Sequence, residues 1–284
     1  FSQDLANIDV LYDLAFLLMD LDHRDLRLLA SIVLNRYLDL TGDVDGLFLL
    51  PLFLAMRAAV RSHFGAAAAA TWEDAAGAER GRSEARQYLD LAISYLHPST
   101  PCLVAIGGLS GSGKSRLSRA VAPGLGAAPG ARIVRTDVVR KRLAGVDSTT
   151  RLPDDAYGRE MTEQVYRCVG DEVRRTLAAG HTAIADAVFA DPGERSAIAS
   201  VARDAGVPFV GLWLEASSDT MAARIAGRRG DASDATTEVL RRQLGYDLGD
   251  IAWRRIDSGG GRKDTERLVL AAIDNEARCW QTRL

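Results

Sequence analysis

The sequence has few of the side chains that usually form disulfides and metal sites. Its 284 residues include three cysteines and four histidines. The cysteines are odd in number, widely spaced and never paired as CxxC, which argues against a disulfide framework or a zinc site. Reduced thiols of this kind are typical of a cytoplasmic protein, and we expect none of the scattered histidines to bind a metal.

Excess positive charge and long apolar runs are also absent. The net charge is −3 at pH 7, so we expect neither a nucleic-acid partner nor attraction to an anionic membrane. The longest apolar run, LFLLPLFLAM at residues 47–56, is shorter than the roughly 20 residues that span a bilayer, and Pro51 interrupts it. Lysine is rare too, at Lys114, Lys141 and Lys263, so a lysine inside a motif is informative.

The chain divides near residues 97–102, HPSTPC, where two prolines mark a boundary. Before this point the apolar residues recur with a helical period, which predicts four helices at roughly 9–20, 24–40, 46–63 and 82–96. An alanine-rich segment at 65–78 is either helical or irregular. We expect residues 1–98 to form a helical segment and residues 99–284 to form a second domain.

Short β-rich apolar runs alternate with amphipathic helices in the second domain. The runs are CLVAIG, RIVRTD, TAIADAV and FVGLWLEA. Strand–helix alternation predicts an α/β fold with a parallel sheet covered by helices on both faces. One intervening helix repeats apolar residues from Met161 to Leu177, and an SGGG turn at 258–261 precedes a last helix near 263–279.

Residues 108–115 read GLSGSGKS, a complete G-x4-G-K-[ST] phosphate-binding motif. It has the required context, an apolar strand before it and a helical pattern after it. The glycines let backbone N–H groups approach phosphate, and the following helix adds its positive end. Lys114 would reach the β- and γ-phosphates and Ser115 would supply a hydroxyl to Mg²⁺. We therefore predict ATP and Mg²⁺ as ligands, bound by Gly108, Ser110, Gly111, Ser112, Gly113, Lys114, Ser115 and Arg116.

Two carboxylates end the strands that follow. Asp137 closes RIVRTD, at the sheet edge where open α/β proteins place their ligands. It could take the proton of an acceptor hydroxyl or join the Mg²⁺ shell, and the alternative is a helix N-cap. Asp186 closes TAIAD and is the natural second carboxylate beside Mg²⁺.

Basic and aromatic side chains near these carboxylates are candidates for the acceptor site. Arg140 lies on the helix after Asp137, Tyr157 lies in the next segment, and Arg195 lies on the helix after Asp186. Guanidinium groups could hold an anionic or polyhydroxyl acceptor.

A lid is predicted at residues 224–243. Arg224 and Arg228 are one helical turn apart, so both guanidinium groups can face one site. The following GDASDA breaks the helix and allows a hinge. In a lid the two arginines would stabilise charge on a transferring phosphoryl group. The alternative is a solvated arginine-rich helix paired with Asp231 and Asp234.

Residues 102–280 resemble the small P-loop kinases in four motifs: GLSGSGKS, RTDVVRKRLAGV, ADAVF and RRGDASDA. That group includes gluconate kinase, the adenylate-kinase type, chloramphenicol phosphotransferase and zeta toxins. More narrowly, the motifs are similar to those of bacterial bifunctional proteins labelled aminoglycoside phosphotransferase/AAA-family ATPase. The resemblance implies a five-stranded parallel core with a lid, and a catalytic carboxylate at Asp137.

The helical segment resembles another part of that bifunctional family. The stretch IDVLYDLAFLLMDLDHRDLRLLASIVLNRYLDLTGD is similar to the last helical section of the phosphotransferase half, where Asp13 matches a structural aspartate. The His-Gly-Asp catalytic loop and the metal-binding aspartate of that half are missing from the sequence. We therefore expect no phosphotransferase activity from residues 1–98, which would be either a truncated piece or a remnant that packs against the kinase domain.

Three functions remain open. The first is ATP/Mg²⁺-dependent phosphoryl transfer to a hydroxyl of a small polar acceptor such as a sugar, a sugar acid or an antibiotic-like molecule. The second is a nucleotide-dependent regulatory ATPase, and the third is a toxin-like kinase of a nucleotide sugar. The single acid at Asp186 and the arginines within the chain favour a kinase that is a monomer or dimer over a ring-forming ATPase.

Overall fold

Helices account for most of the chain. A computed structural model describes residues 8–227 and 232–281, with side chains described up to residue 276 outside that gap. The helices are α1 (Val10–His23), α2 (Arg27–Thr41), α3 (Leu50–Ala69), α4 (Ala75–Tyr95), α5 (Lys114–Val121), α6 (Thr136–Leu143), α7 (Arg159–Ala178), α8 (Pro192–Asp204), α9 (Ser218–Ala226), α10 (Thr237–Gln243) and α11 (Arg262–Gln281).

A parallel sheet occupies the C-terminal part. Its strands are β1 (Leu103–Gly107), β2 (Arg132–Arg135), β3 (Ala183–Asp186), β4 (Phe209–Glu215) and β5 (Arg254–Asp257). All four strand pairs are parallel, in the order β2-β3-β1-β4-β5. The predicted α/β fold with a five-stranded core is confirmed. No apolar run indicated β5, because it is an edge strand in which only Ile256 is buried.

The central strand shows why the sheet needs helices on both faces. Every residue of β1 is buried. Leu103 and Ala105 pack with α7 and α8 on one face, and Val104 and Ile106 pack with α5 and α11 on the other. Successive side chains of a strand point to opposite faces, so a continuously apolar strand requires two covering layers.

The first four helices bury one apolar face each around a shared core. Asp9 caps α1 by accepting a hydrogen bond from Leu11 N at 2.8 Å, and Gly42, with φ of +69°, ends α2. The core contains Leu11, Leu34 and Leu54 among other residues. The alanine-rich segment is helical at both ends, since α3 runs to Ala69 and α4 starts at Ala75.

The apolar run around Pro51 differs from the sequence expectation. Pro51 lies in the first turn of α3, where a proline needs no backbone N–H, and it does not interrupt the helix. Among the described residues one helical stretch, Asp45–Ala69, is therefore long and apolar enough to cross a membrane by length and composition. Core helices of soluble proteins, which are mostly buried, pass the same test. In this stretch Leu50 and Leu54 are buried, but only 28% of the apolar window is buried within the protein, and Phe48 and Phe64 are exposed.

Candidate active site

The phosphate-binding motif forms a tight loop between β1 and α5. Gly108, Gly111 and Gly113 all have positive φ, at 134°, 86° and 98°, which side chains strongly disfavour. A Cβ atom on Gly108 would lie 2.5 Å from the Leu214 carbonyl oxygen, and one on Gly111 would lie 2.5 Å from that of Met221. Only glycine fits at these two positions, so the loop is shaped as a phosphate cradle.

Polar groups of the loop line its inner side. The Lys114 ammonium donates to the carbonyl oxygens of Gly108 at 2.7 Å and Leu109 at 3.1 Å. Ser112 Oγ is buried and has no hydrogen-bond partner among the described residues. Ser115 is half-buried in the first turn of α5 and lines the cleft. A buried hydroxyl without a partner fits a loop that binds a polar ligand.

Two carboxylates stand at the carboxyl ends of neighbouring strands, with an arginine between them. Asp186 ends β3 and is 4% exposed, and its Oδ2 accepts no hydrogen bond from the described residues. The Arg135 Nε atom lies 3.4 Å from this oxygen, and Arg135 Nη2 lies 3.9 Å from Asp137 Oδ2. Asp137 is in the first turn of α6, whose N-cap is Arg135. The N-cap interpretation of Asp137 is therefore wrong.

The arrangement is compatible with Mg²⁺. Among the described residues no cluster of three or more His, Cys, Asp or Glu side chains could hold a metal ion. Mg²⁺ bound with a nucleotide needs few protein ligands, since phosphates and water complete its shell. Asp186 and Ser115 line the same cleft and are oxygen donors of the required kind.

Arg140 and Tyr157 form one wall of the cleft. The Arg140 guanidinium is 6% exposed and donates to Ala156 O at 2.7 Å and Thr162 Oγ1 at 3.3 Å. It lies 4.8 Å from the centre of the Tyr157 ring. Burial lowers the pKa of Arg140. The nearby Tyr157 and Asp137 raise it in part, so the net shift is smaller than burial alone would give. Arg140 and Asp137 therefore line the same part of the chain's cleft, close enough for the carboxylate to affect the pKa of the guanidinium.

Asp234 connects the lid to this wall. Its carboxylate accepts hydrogen bonds from Tyr157 OH at 2.6 Å, from Lys141 Nζ at 3.0 Å and from Leu152 N at 3.1 Å. Burial would raise the pKa of Asp234, but these hydrogen bonds lower it overall. The alternative prediction paired Asp234 with arginines of its own helix. Instead it pairs with the buried Lys141 of α6 at 3.0 Å.

Arg195 does not line the cleft, which corrects its assignment to the acceptor site. Its guanidinium is 5% exposed and donates to the carbonyl oxygens of Phe189, Ala190, Leu248 and Asp250. It therefore braces two loops from inside the protein.

The neighbouring Glu194 lines the cleft instead, a residue that the sequence did not single out. Burial raises its pKa, while hydrogen bonds from Tyr166 and from Asp191 N oppose the rise. Tyr166 OH also accepts a hydrogen bond from Phe189 N at 3.1 Å. Phe189 has a φ of +52°, an uncommon conformation for a bulky residue and one that clusters at functional sites.

Both ends of the predicted lid make hydrogen bonds with the phosphate loop. Arg224 on α9 donates to the carbonyl oxygens of Gly111 and Ser112, both at 3.4 Å, and to Ser258 O at 2.7 Å. Gln243 on α10 accepts a hydrogen bond from Ser110 N at 2.8 Å. Arg224 therefore contacts the loop backbone directly. Arg228 lies outside the described residues, as does Asp231.

The phosphate loop, the two carboxylates and the wall of Arg140 and Tyr157 line one cleft of about 1240 Å³. Arg116, Arg262 and Glu266 lie at the end nearest α11. Burial and the neighbouring Arg262 lower the pKa of Arg116, whereas Glu266 raises it. Arg140, Tyr157 and Glu194 line the same cleft, so its wall carries basic, acidic and phenolic side chains in addition to the loop.

Comparisons with known proteins point to the same region. The sequence profile of the AAA domain family matches residues 103–246. An uncharacterised protein of Mycobacterium tuberculosis is 32% identical over 271 residues, which are 93% of this chain and 52% of that protein. The chain thus spans about half the length of the curated relatives it matches.

Two kinases also match the chain, one over a shorter stretch and one with lower sequence identity. An adenylyl-sulfate kinase of Myxococcus xanthus is 33% identical over 118 residues, 41% of this chain and 59% of that enzyme. A solved gluconokinase from Sinorhizobium meliloti is 21% identical, with a TM-score of 0.46, over 65% of this chain and 98% of that one.

Proposed function

The chain belongs to the AAA domain family, whose profile matches half of it, and we propose that it transfers a phosphoryl group from ATP to a hydroxyl of a small polar molecule. The acceptor would be a sugar, a sugar acid or an antibiotic-like molecule. The similarity to an adenylyl-sulfate kinase supports the kinase class, but it covers too little of the chain to name an acceptor.

One observation carries the proposal. A single cleft of about 1240 Å³ joins the phosphate loop to Asp137 and to the wall of Arg140 and Tyr157. Pockets for one small ligand usually measure roughly 300–1,000 Å³, so the volume suits two substrates side by side. A site that only hydrolyses ATP needs no second wall of this kind, in which the buried Arg140 lies near the partly exposed Asp137.

The residues divide into a nucleotide half and an acceptor half. The loop amides and Lys114 would hold the phosphates, with Ser115 and Asp186 toward Mg²⁺. ATP with its Mg²⁺ would supply the phosphoryl group. Asp137 would orient the acceptor hydroxyl and take its proton.

Arginines and a second carboxyl would complete the site. Arg140, with Tyr157 and Glu194, would bind the polar groups of the acceptor. Arg224 would keep the loop carbonyls in place and, together with Arg228, stabilise charge on the transferred group.

A screen of hydroxyl acceptors tests the proposal. Sugars, sugar acids, aminoglycosides and nucleotide sugars are added with ATP and Mg²⁺, and ADP release is measured with Lys114→Ala as the inactive control. We expect one chemical class to raise ADP release at least about tenfold; a nucleotide sugar would favour the toxin-like alternative. Equal release with every acceptor, together with an ATP-dependent ring on size exclusion, would point to a regulatory ATPase.

A further inference from the structure

The outer edge of β2 is covered by a helix instead of a strand. Among the described residues, β2 is at the end of the sheet order and pairs with β3 alone. On the β3 side, Arg132 N donates to Thr182 O at 2.9 Å. On the outer side, Ile133 N donates to the side-chain oxygen of Asn35, on α2, at 2.7 Å. Unpaired edge groups would otherwise need water or another chain.

The side-chain amide of Asn35 bonds β2 as a backbone would. Its nitrogen donates to Ala131 O at 3.1 Å while its oxygen accepts from Ile133 N. In a parallel pair, a residue donates to the carbonyl before its partner and accepts from the N–H after it. Asn35 therefore makes both hydrogen bonds that one residue of a further parallel strand would make opposite Arg132.

We propose that Asn35 replaces a missing strand at the edge of β2 and thereby acts as a positioning residue for the segment that carries Asp137. The positioning role rests on the proposed function of Asp137. β2 leads directly into α6 with no intervening loop, so a shift of the strand would move the first turn of α6 and its carboxylate.

A charge network centred on the buried Arg132 and Glu172 links α2 to β2 and, through α7, to the end of α6. Arg132 is 2% exposed, and its Nη2 lies 2.6 Å from carboxylate oxygens of Asp39 on α2 and Glu172 on α7. Arg142, near the end of α6, donates to the second oxygen of Glu172 at 2.6 Å. The two arginine charges are thus matched by two carboxylate charges, and the four residues join α2, β2, α7 and α6.

The network makes α2 part of the site. Without α2, the buried Arg132 would lose Asp39, and the Ile133 N–H and the Ala131 carbonyl would lose their partners. Leaving buried polar groups unpaired costs much more than an ordinary hydrogen bond contributes. The helical segment is thereby a structural component of the kinase unit, which goes beyond the idea of a remnant that packs against it.

Three variants of the full chain separate this role from general loosening. Asn35→Leu removes both hydrogen bonds to the β2 backbone, together with those to Ser31 O and from Arg132 Nη1. Asn35→Asp keeps an acceptor for Ile133 N and Arg132 but loses the donor to Ala131 O. Arg36→Ala is the matched control, because Arg36 is the exposed neighbour on α2 that bonds Ser148 at 3.0 Å. Amide hydrogen exchange is followed at Ile133 and across residues 134–143.

We expect Asn35→Leu to speed exchange at Ile133 at least about tenfold, with faster exchange in residues 134–143 as well. Asn35→Asp should keep Ile133 protected, and Arg36→Ala should leave both regions unchanged. Unchanged protection in Asn35→Leu, lost protection of Ile133 in Asn35→Asp, or equal loss in Arg36→Ala would overturn the proposal.

Kinetics then test the positioning role. With the acceptor from the screen, we expect Asn35→Leu to lower kcat at least about fivefold while the KM for ATP changes less than about twofold. An unchanged kcat would refute positioning of Asp137. If the wild type transfers no phosphoryl group to any acceptor, the proposed function fails, and the exchange data still decide whether Asn35 holds the segment.

Discussion

His181 predicts a loss of stability in mild acid that can be worked out from the structure. The side chain is 1% exposed between α7 and β3, and its Nε2 has no hydrogen-bond partner among the described residues. Burial lowers its pKa from 6.5 to about 4, although a hydrogen bond with the backbone of Leu47 opposes the shift. The ring therefore stays neutral in the folded protein until the pH falls to about 4, and protonating it there is unfavourable because it is buried.

The sign follows from proton binding. Between pH 6.5 and about 4 the unfolded chain holds a proton on His181 and the folded chain does not, so the free energy of unfolding falls as the pH falls. Each pKa unit corresponds to about 1.4 kcal/mol. Lowering the pKa from 6.5 to about 4 then predicts a loss of about 3 kcal/mol at pH 4 relative to pH 7.5.

Denaturant unfolding at several pH values measures this loss. Carboxylates also titrate in this range, so the quantity to compare is the difference between wild type and His181→Leu, which removes the titrating ring. We expect the variant to lose about 3 kcal/mol less than wild type on going from pH 7.5 to pH 4. His97→Gln, at an exposed histidine, should behave as wild type. Parallel pH profiles for wild type and His181→Leu would refute the reasoning.

Two further predictions concern the loop and the lid. Gly111→Ala should weaken ATP binding at least about tenfold in calorimetry, because the added Cβ would clash with a carbonyl oxygen. Gly206→Ala, at a positive φ with open space outside the cleft, should leave ATP binding unchanged, and an equal loss in both variants would contradict the steric argument. Asp234→Asn should cost about 3 kcal/mol in denaturant unfolding because it leaves a buried lysine without its carboxylate. Glu163→Gln, in an exposed ion pair, should cost less than about 0.5 kcal/mol, and a similar loss in both variants would contradict the burial argument.

The phosphate loop could be predicted because its requirements are local. Gly108 and Gly111 satisfy a steric demand within one turn, and the strand and helix beside them carry their own apolar patterns. β5 could not be predicted in this way. An edge strand with one buried residue, Ile256, leaves no apolar run in the sequence.

The choice between Glu194 and Arg195 depends on which face of α8 meets the core. Arg195 is in phase with the buried Ile198 and Ala202, at i+3 and i+7. That spacing is consistent with a position on the buried face. An arginine is stable there because four carbonyl oxygens accept its hydrogen bonds, and these oxygens come together only when the loops fold. Glu194, one residue earlier, falls at the edge of that face and reaches the cleft.

The partnership of Asn35 with Ile133 joins residues 98 positions apart. A polar residue on the buried face of α2, next to Leu34 and Leu38, was a signal that it has a specific partner. No local pattern identifies that partner, because the edge of a sheet exists only once the strands have paired.

The central proposal is that Asp137 orients the acceptor hydroxyl and takes its proton, and that it does not bind ATP. The most direct measurement compares Asp137→Asn with wild type in transfer of labelled γ-phosphate to the acceptor from the screen, alongside calorimetry of ATP binding. We predict a fall in transfer of at least about 100-fold, in the range for loss of a general base, with ATP affinity changed less than about twofold. Full transfer by Asp137→Asn, or a parallel loss of ATP binding, would contradict the claim.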